Sequence, residues 1–77
     1  MKITVENTSK RVVLKTDRGE VEARIWEGHT ESGIPVHAFI TRIACDLDAD
    51  AAEFERDLND CRPPSAEIAA YPARLLL

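Results

Sequence analysis

Glu20-Val21-Glu22-Ala23-Arg24-Ile25-Trp26 alternates polar and apolar side chains over its whole length. A period of two sends every second residue to the same side of an extended chain, so the segment reads as a strand with one buried face. Similar signals lie upstream. Ile3 and Val5 open a short strand, Glu6-Asn7-Thr8-Ser9 supplies turn residues, and Arg11-Val12-Val13-Leu14-Lys15-Thr16 is a β-branched run. Asp17-Arg18-Gly19 reads as a three-residue hairpin loop, with glycine for the positive-φ position. A fourth strand is expected from about Val36 to Ala44.

A helix is expected next. Asp50 is a good N-cap, and Glu53 three residues on completes a capping box. Ala51, Phe54, Leu58 and Cys61 form a narrow apolar stripe at helical spacing. Pro63-Pro64 should stop the helix near Arg62. Ser65 to Ala70 reads as one further turn, and Ala73-Arg74-Leu75-Leu76-Leu77 as a last strand pinned into the sheet. The expected fold is α+β: an antiparallel β-sheet, ordered β-β-β-β-α-β, with one amphipathic helix packed on one face. Residues 1–77 show no repeat or linker and form a single small domain.

A 77-residue chain lies near the lower limit for a self-sufficient core, so a partner or a second copy would add useful burial. The composition, 44% apolar and 31% charged, is that of an ordinary globular protein rather than a disordered one. No apolar run approaches the roughly 20 residues of a membrane span. The opening MKITVENTSK lacks the apolar core of a secretory signal, so a cytoplasmic setting without membrane partners is expected. Cys45 and Cys61 lack CxxC spacing and read as small buried apolar residues of a reduced interior. The net charge of -4 is carried by residues 45–62, while the first 44 residues are slightly basic. That distribution argues against nucleic acid as the main partner, because phosphate binding draws on clustered basic side chains.

The stretch Trp26 to His37 holds two histidines, two glutamates, a serine and two glycines. Pairing the flanking strands with Gly28 opposite Gly33 sets Ile25 against Val36, Ala23 against Ala38 and Val21 against Ile40. Opposed residues of an antiparallel pair share a face, so these six would form one apolar surface under the helix. His29-Thr30-Glu31-Ser32 would then be a wet tip. His29 becomes a solvated loop residue, His37 a surface residue opposite Arg24, and Ser32 a turn serine lacking the Gly-x-Ser-x-Gly setting of a nucleophile. No catalytic residue is expected.

No metal or cofactor is expected either. His29, His37, Cys45 and Cys61 include no close ligand pair, and eight strand residues would hold His37 and Cys45 about 26 Å apart. Asp46-Leu47-Asp48-Ala49-Asp50 begins like an EF-hand loop. It departs from that pattern at Ala51, where glycine makes the sharp turn, and at Asp57, where a bidentate glutamate is needed. These acids suit the start of a helix instead.

The same pairing sends Trp26, His37, Phe39, Thr41 and Ile43 to the second face, interleaved with Glu20, Glu22 and Arg24. Aromatic residues bordered by charge are typical of protein interfaces, so Trp26, Phe39, Arg24, His37 and Ile43 are the candidate partner-binding residues. Burial of that face by the first or last strand is the competing reading. Glu53, Asp57 and Asp60 fall on one side of the helix, as a solvated ridge or a surface for a basic partner.

The segments Arg24-Ile25-Trp26-Glu27-Gly28, Ser32-Gly33-Ile34-Pro35-Val36 and Ile40-Thr41-Arg42-Ile43-Ala44, with the ending Pro72-Ala73-Arg74-Leu75-Leu76-Leu77, resemble small bacterial and phage proteins without an assigned function. The similarity covers most of the chain. It implies no activity and hands over no functional residue. The expected function is therefore a non-enzymatic protein-interaction module, docking a protein partner or self-associating as a homo-oligomer. The alternative is a small-molecule or metal-dependent activity at the 27–37 hairpin through Glu27, His29, Glu31 and His37. Weak nucleic-acid binding, third, would require Lys10, Arg11, Lys15, Arg18 and Arg24 on one surface.

Overall fold

A computed structural model describes residues 1–76, with Leu76 described by its backbone only. Leu77, the last residue of the expected terminal strand, lies outside the described residues. The elements are β1 (Ile3–Thr16), β2 (Gly19–Thr30), β3 (Pro35–Ile40), α1 (Ala51–Asn59), α2 (Ala66–Ala69) and β4 (Arg74–Leu76). One four-stranded sheet has the order β3-β2-β1-β4.

The fold is mixed α and β as expected, but the sheet is not wholly antiparallel. β1/β2 and β2/β3 are antiparallel, whereas β4 runs parallel to β1, with Leu14 opposite Leu75. Residues 41–73, carrying both helices, are long enough for the crossover that a parallel neighbour needs.

The two expected N-terminal strands are one. Asn7-Thr8-Ser9 forms an irregularity within β1, where the register against β2 shifts between Asn7 and Arg11. The polar side chain that resembled turn chemistry replaces lost ladder bonds. Thr8 is fully buried, its hydroxyl donating to the Ile25 carbonyl at 2.7 Å and accepting from the Lys10 N–H at 3.2 Å. The Ser9 N–H donates to the Arg62 carbonyl at 3.0 Å.

The β1–β2 hairpin lies where the sequence places it, but its loop is two residues long. Thr16 pairs with Gly19, which opens β2 at φ 119°, a backbone conformation that glycine adopts without strain. The β2–β3 register differs from expectation by three residues: Ile25 faces Phe39, Trp26 faces Ala38 and Glu27 faces His37. Its loop spans residues 31–34, so His29 and Thr30 belong to β2. Thr30 fixes this geometry. Its N–H donates to the Ile34 carbonyl at 2.9 Å, its carbonyl accepts from Gly33 at 3.0 Å, and its hydroxyl accepts from Ile34 at 3.1 Å. A three-residue shift is odd, so every β3 side chain changes face.

The core is Val12, Leu14, Ala23, Ile25 and Ile68, flanked by half-buried Phe39, Tyr71 and Leu75. Its cover is α2, not the longer amphipathic helix. Ser65 caps α2 by accepting from the Ile68 N–H at 3.3 Å, and Ile68 is fully buried. No residue of α1 is buried, although Phe54 and Leu58 are half-buried. α1 instead lies on the opposite face. There the Leu58 carbonyl, near the C-terminal end of the helix, accepts from Arg24 Nη1 at 2.7 Å and Asn7 Nδ2 at 2.9 Å. The single-helix expectation gives way to a short helix on each face.

Asp50 caps α1 as expected, its carboxylate accepting from the Ala52 and Glu53 N–H groups at 3.0 and 3.1 Å. The helix ends at Asn59 rather than near Arg62. Arg62 forms a parallel bridge with Thr8, and its position before Pro63 disfavours helical backbone. Cys45 and Cys61 are free thiols, half-buried rather than the expected core residues.

Candidate interaction site

Arg24 and Trp26 lie two apart on β2 and therefore project from the same face. Across β3 they oppose Ile40 and Ala38. Alanine is too short to cover the indole, and Trp26 stays half-buried. The chain leaving β3 carries Arg42 and Ile43 beside this spot, while Leu58 of α1 closes the other side. The result is a cleft of about 210 Å³ with Arg24, Trp26, Ile40, Arg42, Ile43 and Leu58 among its walls. A second cleft of about 430 Å³ adjoins it through Trp26 and runs along Val5, Glu6, Asn7, Asp60, Cys61 and Arg62.

The five sequence-predicted binding residues therefore divide. Arg24, Trp26 and Ile43 meet at the cleft. Phe39 and His37 occupy the other face, a correction that follows from the odd register shift. Phe39 packs on the core and meets Tyr71 edge-on, with ring centroids 5.6 Å apart. His37 also meets the Tyr71 ring edge-on, and its Nδ1 lies 3.0 Å from the Tyr71 hydroxyl. Sequence reasoning missed Ile40, Arg42 and Leu58. The sequence pattern places Ile40 in the core and Leu58 in a helical stripe covering that core, whereas both line the cleft on the opposite face.

The 27–37 hairpin does not gather its polar groups into a reactive set. Glu27 opposes His37, replacing the expected Arg24 opposite His37, but its carboxylate turns to other partners. It accepts from Ser65 Oγ at 2.6 Å, Ser65 N–H at 3.1 Å and Arg62 Nη1 at 2.7 Å, and its side chain is 12% exposed. The Ser65 hydroxyl, with help from the Ser65 N–H and Arg62 and against partial desolvation, holds the Glu27 carboxyl below its ordinary pKa. Arg62 also donates to Glu6 at 3.2 Å, and the two carboxylates raise its own pKa. Glu6 and Glu27 are direct cross-strand neighbours, so Arg62 offsets a like-charge pair and ties the approach to α2 onto the sheet. Glu31 is exposed in the loop and His29 is exposed on β2. Among the described residues no three His, Cys, Asp or Glu side chains are placed to hold a metal ion.

The basic residues that nucleic-acid binding would require are dispersed in function. Arg11 pairs with Glu22 at 3.3 Å, Lys10 donates to the Ala69 carbonyl at 3.3 Å, and Arg24 is bonded to Leu58. Lys15 and Arg18 lie at the β1–β2 hairpin.

Comparisons with protein-family models, curated proteins and solved structures find no match to this chain. No described helix is long and apolar enough to cross a membrane.

Proposed function

We propose that this chain is a non-enzymatic protein-interaction module that docks its partner at the Arg24–Trp26–Ile43 cleft. The supporting observation is the half-buried indole of Trp26, forming a wall shared by two adjoining clefts, while the aromatic rings of the other face pack on one another and the core. The first cleft has an apolar lining of Trp26, Ile40, Ile43 and Leu58, with Arg24 and Arg42 and no carboxylate. It suits a protein segment that presents one aliphatic side chain beside acidic residues. A cytoplasmic setting and kinship with small bacterial and phage proteins belong to the same proposal and rest on the sequence.

Burying one leucine-sized side chain supplies about 1.5–3 kcal/mol, and charge pairs at the rim add less than about 1 kcal/mol each. An isolated short peptide should bind with a dissociation constant on the order of 1 mM. Trp26 is the sole tryptophan, so its emission reports occupancy directly. Titration with a synthetic peptide carrying leucine between aspartates should shift that emission to the blue. Replacing those aspartates with lysines should abolish the shift. An emission spectrum indifferent to both peptides at several millimolar would sink the reading.

A further inference from the structure

The chain itself contains a segment of the chemistry that the cleft selects. Leu47, at 103% relative exposure, is the most exposed large apolar side chain among the described residues. It stands between Asp46 and Asp48, with Asp50 beyond. A hydrogen bond from the Ala49 N–H to the Asp46 carbonyl at 3.1 Å closes a turn around Leu47 and Asp48. The segment continues directly into the cap of α1, where Asp50 is held by two backbone N–H groups. Leu47 is thus presented on a bonded turn, which lowers the ordering cost of docking it.

Resting on the cleft reading above, we propose that the occupant is Leu47 of a second copy of this chain. Three observations support a second copy over an unrelated partner. Leu47 does not fill its own molecule's cleft, being wholly exposed. Asp46 and Asp48 complement the exposed Arg42 at the cleft, backed by the half-buried Arg24 that is bonded to the Leu58 carbonyl, whereas the chain as a whole is acidic at -4. Leu47 is also close to the cleft along the chain: it lies four residues beyond Ile43 of the cleft wall, at most about 14 Å in an extended backbone. A projection and its complement this close on one chain suit a two-fold pairing, in which each Leu47 enters the cleft of the other copy. The cleft, at about 210 Å³, has room for a leucine side chain.

Sedimentation of the full chain over a range of micromolar to millimolar concentrations tests this. A concentration-dependent dimer is expected. Leu47→Ser should weaken it at least about hundredfold, roughly tenfold for each of the two leucines, without changing the urea midpoint of the dilute monomer. Arg42→Asp and Asp46→Arg alone should each fail to self-associate, because like charges then face each other. An equimolar mixture of those two variants should recover the dimer, since both contacts become opposite in sign. A chain that stays monomeric throughout, or a dimer that Leu47→Ser leaves intact, overturns the proposal. A monomer that still binds the aspartate-flanked peptide through Trp26 overturns self-pairing alone and preserves the cleft as a site for another protein.

Discussion

Ile68 occupies one position in a four-residue helix, and its substitution should cost more stability than any change on the nine-residue α1. Ile68 is fully buried among Val12, Leu14, Ala23 and Ile25, so truncation to alanine leaves a void against the sheet. Such truncations cost about 2–5 kcal/mol. At roughly 0.05–0.15 kcal/mol per residue, a 77-residue domain holds only about 4–12 kcal/mol in total. Ile68→Ala should therefore consume a large share of the stability. Leu58, half-buried on α1, should lose about 1 kcal/mol on the same change. Urea unfolding followed by circular dichroism separates the two. With a slope of about 1 kcal/mol per molar, expected for so small a chain, the midpoint falls by at least about 2 M for Ile68→Ala and about 1 M for Leu58→Ala. Should Ile68→Ala prove too unstable to study, Ile68→Val, at about 0.5–1.5 kcal/mol, keeps the comparison measurable. A larger effect at Leu58 than at Ile68 would show that α1 covers the core, and the packing described above would be wrong.

Three further outcomes follow from particular contacts. Gly28→Ala should destabilise by about 1–3 kcal/mol or more, because a Cβ there overlaps the Thr4 carbonyl and the Val5 Cα across the strand pair. Faster amide exchange in β1 near those residues is the expected signature, and wild-type protection would contradict it. Glu27 has a lowered folded-state pKa, so its contribution is fully present above the ordinary carboxylate range and is lost as pH falls through the lower folded value. Glu27→Gln should accordingly flatten the fall in stability below the ordinary carboxylate range, and an unchanged acid limb would remove this role. Ala38→Leu should cost under about 1 kcal/mol and blue-shift Trp26 emission, because the new side chain lands opposite the indole rather than in the core. In the alternative register, with Ala38 opposite Ala23, the same change would overpack the core.

The parts of the fold legible in the sequence are those fixed by neighbours along the chain. Alternation from Glu20 to Trp26 marks β2, the Asp17-Arg18-Gly19 cluster marks its hairpin, and Asp50 marks the start of α1. Local polarity misled at Thr8. A threonine in a run of turn formers is ordinary loop chemistry until a distant carbonyl, that of Ile25, accepts its proton in the interior. The importance of α2 was equally hidden. Ala66-Glu67-Ile68-Ala69 is too short for an amphipathic pattern, and Ile68 acquires its role only when Glu27 and Arg62 bind the approach to this helix onto the sheet.

The binding face was illegible for a different reason. Apolar residues on β3 occur at both parities, Val36, Ala38 and Ile40 on one and Phe39 on the other, so two registers each provide β2 with an apolar partner surface. Pairing Ala23 and Ile25 with the aliphatic set looked the better match because it satisfied three pairs at once. The structure prefers Phe39 against Ile25, where Tyr71 can meet the phenylalanine ring edge-on and Thr30 can bond the loop at both ends. That preference leaves the aliphatic set on the far side. With Ala38 too small to cover Trp26, and α1 attached there by bonds to the Leu58 carbonyl without burying a side chain, a cleft remains between sheet and helix. Both the core and the cleft therefore follow from the same shift of strand register. Moving β3 back by three residues would dismantle the Phe39–Tyr71 packing and carry Ile40 away from the cleft wall.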